Sequence, residues 1–158
     1  MPTNDPLPGS TSEPAPAAIM KRDVLISAAE VLALNAAPKT VVPAPGANLA
    51  LVFEGAVIHK PAGTAYGGVA LGEDLSVKYT NGAGAEVAQC ETTGFLDQAT
   101  AQTRQVRPHT AATLASDKTP TANAPLVMQM LAGEITTGDS PLHVRVFYRV
   151  IPTAAFAT

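Results

Sequence analysis

A chain of 158 residues, 46% of them hydrophobic and 15% charged, is long enough to bury a core without disulfide or metal staples. Its 29 alanines look like helix material, but 14 prolines and 12 glycines scattered among them leave no uninterrupted stretch for a helical bundle. A formal net charge of −3 offers no basic face for duplex nucleic acid, and a single cysteine, Cys90, offers neither an intrachain disulfide nor a cysteine zinc site.

Residues 1–20 (MPTNDPLPGSTSEPAPAAIM) are rich in Pro, Ser, Thr and Ala and read as an extended N-terminal arm. Such a segment has too little apolar surface to offset its ordering entropy unless a partner supplies some. Leu7, Ile19 and Met20 are its candidate anchors. Asp5 and Glu13, with no early basic residue and no apolar centre, do not make a secretory signal. No apolar run approaches the ~18 residues of a membrane helix. The expectation is a chain made and assembled in a cytoplasm.

From residue 21 onward a single β domain is expected. Asp23–Ile26 reads as a short strand. Ser27-Ala28-Ala29-Glu30 fits a capping box, opening a helix over Ala29–Leu34 that Asn35 and Pro38 stop. Thr40–Val42 is a strand ended by Pro43-Ala44-Pro45-Gly46. Leu49–His59 is apolar on both faces, as a central strand would be, and Gly55 within it marks a bulge or a close backbone approach.

After a glycine-rich passage from Gly63 to Gly72, Leu75, Val77 and Tyr79 alternate with polar residues, the period of a half-buried strand. Asn81-Gly82 predicts a tight hairpin turn with Glu86–Thr93 returning. Residues 95–124 are polar and read as loop, apart from a strand at Thr103–Val106. Leu126–Leu131 is a buried strand. In Leu142–Ile151, Leu142, Val144, Val146, Tyr148 and Val150 face one way, and His143, Arg145, Phe147 and Arg149 the other. Eight or nine short strands with one short helix define an all-β, antiparallel β-sandwich or jelly-roll-like domain.

Chemical motifs are few. His59, His109 and His143 include no pair at i, i+2 or i, i+4, so no one element supplies two imidazole metal ligands. Gly82-Ala83-Gly84 fails as a dinucleotide loop, because Val87 stands where a glycine belongs and a strand follows. Gly138-Asp139-Ser140 matches an esterase nucleophile triplet, but it lies late in the chain without an Asp-x-x-His partner and reads as a turn. Glu54, Glu73 and Asp74 do not make a glycosidase cleft, since 4% aromatic residues supply few ring platforms. Cys90 reads as a buried, inert thiol. No catalytic residue, metal or cofactor is expected.

Three stretches, ISAAEVLALNAAPKTVVPAPGANLALVFEGAVI, YGGVALGEDLSVKYTNGAGAEV and GEITTGDSPLHVRVFYRVIP, resemble the small decoration, or cement, proteins of tailed-bacteriophage capsids. The likeness covers residues 22–152 as an overall pattern, without a chemically diagnostic motif, and the Pro-rich leader stands outside it. The resemblance implies a structural virion protein on the head surface that fastens neighbouring major capsid subunits. Its partners would be the major capsid protein and copies of itself, with a trimer on a local threefold axis favoured. A stable contact of ~1,200–2,000 Å², repeated over a lattice, would supply avidity. Neither nucleic acid nor membrane is an expected partner. The expected interface set is Leu7, Ile19, Met20, Arg104, Arg107, His109, His143, Arg145, Phe147 and Arg149. Two alternatives use the same fold: a phage tail or fibre receptor-binding module, with Tyr66 and His109 as glycan contacts, and an oligomeric ligand of the tumour-necrosis type.

Overall fold

Alternation of apolar and polar residues lets one face of a strand be buried, and two such faces must be found and closed on each other. The computed structural model describes residues 17–108, 119–133 and 135–156. They form strands β1 (Met20–Ile26), β2 (Lys39–Val42), β3 (Leu49–Lys60), β4 (Leu75–Tyr79), β5 (Glu86–Cys90), β6 (Gln102–Val106), β7 (Leu126–Met130) and β8 (Leu142–Pro152), with helix α1 at Ala28–Ala33.

First pairs with last throughout: β1 with β8, β2 with β7, β3 with β6 and β4 with β5, all antiparallel. This long ribbon is rolled so that β8 also pairs with β3, and β7 with β4. Two four-stranded sheets result, ordered β1-β8-β3-β6 and β2-β7-β4-β5. This is an antiparallel β-sandwich wound as a jelly roll, the fold class expected from the sequence.

The core lies between the sheets. Leu142, Val144 and Val146 of β8 meet Leu126, Met128 and Met130 of β7 and Leu75, Val77 and Tyr79 of β4, all buried. Each large aliphatic side chain removed from water in this way contributes about 1.5–3 kcal/mol.

β3 serves the core twice. Leu51 and Phe53 point inward at odd positions, but Ala56 and Ile58 point inward at even ones. The register shift between Phe53 and Gly55 absorbs the difference, so both halves of the strand keep their apolar side in. Gly55 has φ 153°, and a Cβ there would lie 3.0 Å from the carbonyl oxygen of Val106 on β6. Both expectations for this glycine hold.

The capping box is formed: Glu30 N donates to Ser27 Oγ at 3.3 Å, and Ser27 N donates to Glu30 Oε2 at 2.9 Å. Val31 and Leu34 are buried in the core as α1 carries the chain from one sheet to the other.

Four sequence expectations need correction. β1 begins at Met20, three residues earlier than its apolar pattern suggests, because main-chain pairing with Tyr148, Phe147 and Val146 continues where the side chains are exposed. The β4–β5 hairpin exists, but its positive φ falls on Thr80 rather than on Asn81 or Gly82. Asn81 acts through its side chain, accepting from Ala83 N at 2.9 Å, so the loop is longer than a two-residue turn. Within the polar stretch 95–124, Phe95 and Leu96 are fully buried, because a turn at Thr92 sends them into the core. Finally, no backbone hydrogen bond closes a turn over Gly138-Asp139-Ser140 among the described residues.

Candidate functional site

The outer face of the β1-β8-β3-β6 sheet gathers much of the chemistry the sequence offers. Antiparallel register aligns Leu25, His143, His59 and Thr103 in one row across the four strands. Asp23, Arg145, Val57 and Gln105 make the next row, and Lys21, Phe147 and Gly55 follow.

Two shallow depressions mark this face. One, of about 590 Å³, is lined by Asp23, Leu25, Val57, His59, His143, Arg145 and Phe147. The other, of about 350 Å³, lies over the β3 bulge, between Ile19, Glu54, Gly55, Gln105, Arg107 and Phe147. Phe147 and Val57 line both. Ile19 and Leu25, each 56% exposed, add apolar surface.

The charges on this face are largely paired. Arg145 meets Asp23 bidentately, Nε to Oδ1 at 2.6 Å and a terminal nitrogen to Oδ2 at 3.0 Å. The hydrogen bond from Arg145 holds the Asp23 carboxyl below its usual range, and Asp23 raises Arg145 in turn. Arg149 Nε lies 2.9 Å from Glu54 Oε1, and Glu54 is the residue extruded by the bulge. Ion pairs at a protein surface add little to folding. Their larger consequence is that a partner covering the face would meet charges already matched, and would strand neither of them.

Of the expected interface residues, His143, Arg145, Phe147 and Arg149 lie together on the outer side of β8, and Ile19 and Arg107 join Phe147 at the second depression. Alternation places Met20 on the other side of β1, exposed there with Arg22. Arg104 is also elsewhere: its guanidinium stands 5.3 Å from the Phe95 ring centroid and donates to the carbonyl of Gly94, capping that turn. Leu7 and His109 lie outside the described residues.

Sequence reasoning missed Leu25, Val57, His59 and Asp23. The run Val24-Leu25-Ile26 carried a signal for the first, since three consecutive apolar residues on a strand must turn one outward. The two-faced apolarity of β3 likewise marks an interior strand whose outer residues, Val52 and Val57, remain half-exposed.

The Gly138-Asp139-Ser140 triplet clasps two loops. Asp139 accepts from Thr64 N at 2.7 Å and Thr64 Oγ1 at 2.8 Å, and these bonds keep its carboxyl below the usual range. Ser140 Oγ is buried with no hydrogen-bond partner, and the Ser140 carbonyl accepts from the Tyr66 hydroxyl. Tyr66 is therefore buried and presents no ring to a glycan. Beside the clasp, Lys60 is fully buried, donating to the carbonyls of Gln98 at 2.7 Å and Pro61 at 3.3 Å. Burial lowers its pKa, and the charge of Asp139 opposes that shift. Cys90 is half-buried, and burial pushes its thiol up to about 11, which keeps it protonated and unreactive near neutral pH.

Among the described residues no helix is long and apolar enough to cross a membrane, and no three His, Cys, Asp or Glu side chains converge as metal ligands. No family model, curated protein or solved structure matches this chain.

Proposed function

We propose that this chain is a structural virion protein, a decoration or cement protein that stabilises a tailed-phage head by bridging major capsid subunits. Its place would be the outer surface of the capsid, joined during assembly in the bacterial cytoplasm. The observation that carries the reading is the open β1-β8-β3-β6 face, which combines exposed apolar side chains with pre-paired charges. The likeness of residues 22–152 to cement proteins points the same way.

The size of this face suits the duty. Four strands of 7, 11, 12 and 5 residues, spaced about 4.8 Å apart and rising about 3.3 Å per residue, present roughly 550 Å². That approaches the ~800 Å² each partner contributes to a standard interface. Phe147, Val57, Leu25 and Ile19 would supply the apolar part of the contact, and Asp23–Arg145 and Glu54–Arg149, interleaved among them, its matched polar part. Self-association on a local symmetry axis would add a second interface and raise avidity.

The test is to image phage particles made with and without this chain and to measure their resistance to heat and osmotic shock. Density on the head surface, together with particles that burst more readily without it, is the expected result. Heads that carry no such density, or that are equally robust without the chain, would refute the reading.

A further inference from the structure

His59 and His143 stand opposite each other on the two central strands of the open sheet, β3 and β8, in direct Cα register. Their ring centroids are 6.3 Å apart, with the ring planes at 46°. Both side chains are exposed and line the larger depression. The sequence hides this pairing, because the two histidines belong to different elements far apart in the chain.

We propose that His59 and His143 form a binding site for a divalent transition-metal ion of the Zn²⁺ or Ni²⁺ kind, held by two imidazoles with its remaining positions open to water. Directly opposed residues of an antiparallel pair have Cβ atoms about 4.5–5.5 Å apart, which lets two imidazoles reach one ion. With metal–nitrogen bonds of about 2.0–2.1 Å, two rings sharing an ion have centroids about 5 Å apart in tetrahedral geometry and about 6.4 Å apart when opposed. The observed 6.3 Å lies inside that span. Closing to the tetrahedral value takes a modest ring rotation, and the broad χ2 preference of histidine permits it.

The second feature is Thr103. It occupies the same row on β6, and its Oγ1 lies 2.9 Å from His59 Nδ1. A hydroxyl there can accept a hydrogen bond from Nδ1–H, selecting the tautomer whose Nε2 lone pair is free for a metal. Thr103 is thus a positioning residue. Imidazole donors favour zinc, copper and nickel over magnesium or calcium. Asp23, one row away, is engaged by Arg145 and leaves the ion with two protein donors among the described residues, so the site is an exchangeable one.

The inference does not depend on the capsid reading and fails separately from it. The test is calorimetric titration of the full chain with ZnCl₂ and NiCl₂, alongside ¹⁵N chemical shifts of the histidine rings. The expected result is saturable uptake of one ion per chain, with the Nε2 resonances of His59 and His143 displaced. His143→Gln and His59→Gln should each abolish or severely weaken uptake while leaving the melting temperature of the metal-free protein unchanged. Thr103→Val should weaken uptake about tenfold, within the usual range for loss of a ligand's hydrogen-bond partner. His109→Gln should bind as the parent does. Absence of saturable uptake by the parent chain, or uptake that survives His143→Gln or disappears with His109→Gln, would overturn the proposal.

Discussion

Tyr79, the last residue of β4, donates its hydroxyl to the carbonyl oxygen of Leu51 on β3 at 2.6 Å, joining the two sheets by a buried hydrogen bond. Both residues are buried, so neither group has water as an alternative partner. Replacing Tyr79 with Phe keeps the ring and removes the bond, leaving a buried carbonyl with one partner fewer. A loss of about 1–3 kcal/mol is expected, read as a lower urea midpoint at unchanged m-value. An unchanged midpoint would mean that the carbonyl is satisfied without the hydroxyl.

Alkaline pH should unfold the protein through the same residue and two others. Burial pushes the hydroxyls of Tyr79 and Tyr66 up to about 12 from an ordinary 10.0, with Asp139 adding to the shift at Tyr66, and pushes the Cys90 thiol up to about 11 from 9.0. Each group favours its neutral form in the fold, so the unfolded chain loses its protons first. Stability is therefore whole below about pH 9, begins to fall there as the cysteine titrates in the unfolded chain, and falls faster above about pH 10 as the tyrosines join. Each group contributes a slope of about 1.4 kcal/mol per pH unit until its folded pKa is reached. Urea titrations between pH 8 and 11.5 check this, and Tyr79→Phe should flatten the curve by one tyrosine's share.

Much of this architecture is readable from local patterns. The inward rows of β4, β7 and β8 are period-2 alternations, and the Ser27–Glu30 cap is a four-residue motif; both depend only on neighbours in the chain. The rolled ribbon is different: it pairs first strand with last, and no local pattern states which strands meet. The candidate site suffers most from that gap. His143, Arg145, Phe147 and Arg149 are visible as one face of one strand, but their partners Asp23, Glu54, Val57 and His59 come from β1 and β3. Arg104 shows the reverse error: expected in the interface set, it is aimed by its parity on β6 at Phe95.

Gly55 carries both the bulge and the close approach of β6. An alanine there would have to adopt φ 153° with its Cβ 3.0 Å from the Val106 carbonyl. Strain of about 1–3 kcal/mol is expected for a residue held in such a conformation. Relief comes most readily by loosening β6, an edge strand that pairs only with β3 among the described residues. Gly55→Ala should therefore lower the melting temperature and speed hydrogen exchange at Gln102–Val106 more than at β8. Uniformly faster exchange across both sheets would place the strain elsewhere.

Substitutions on the open face separate docking from folding. Leu25 and Ile19 are more than half exposed, so Leu25→Asp and Ile19→Asp should change stability by no more than about 1 kcal/mol. If this face seats on a capsid, each new carboxylate would be buried there without a counter-charge, and co-sedimentation with undecorated heads should be lost. The Asp23–Arg145 pair sharpens the test. Asp23→Ala leaves the Arg145 guanidinium unmatched at the contact, whereas Asp23→Ala combined with Arg145→Ala removes both charges. Truncating one partner of a covered pair costs more than removing the pair, so the double variant should bind heads better than the single one. Equal binding by parent, single and double variants would show that this face stays in solvent on the particle.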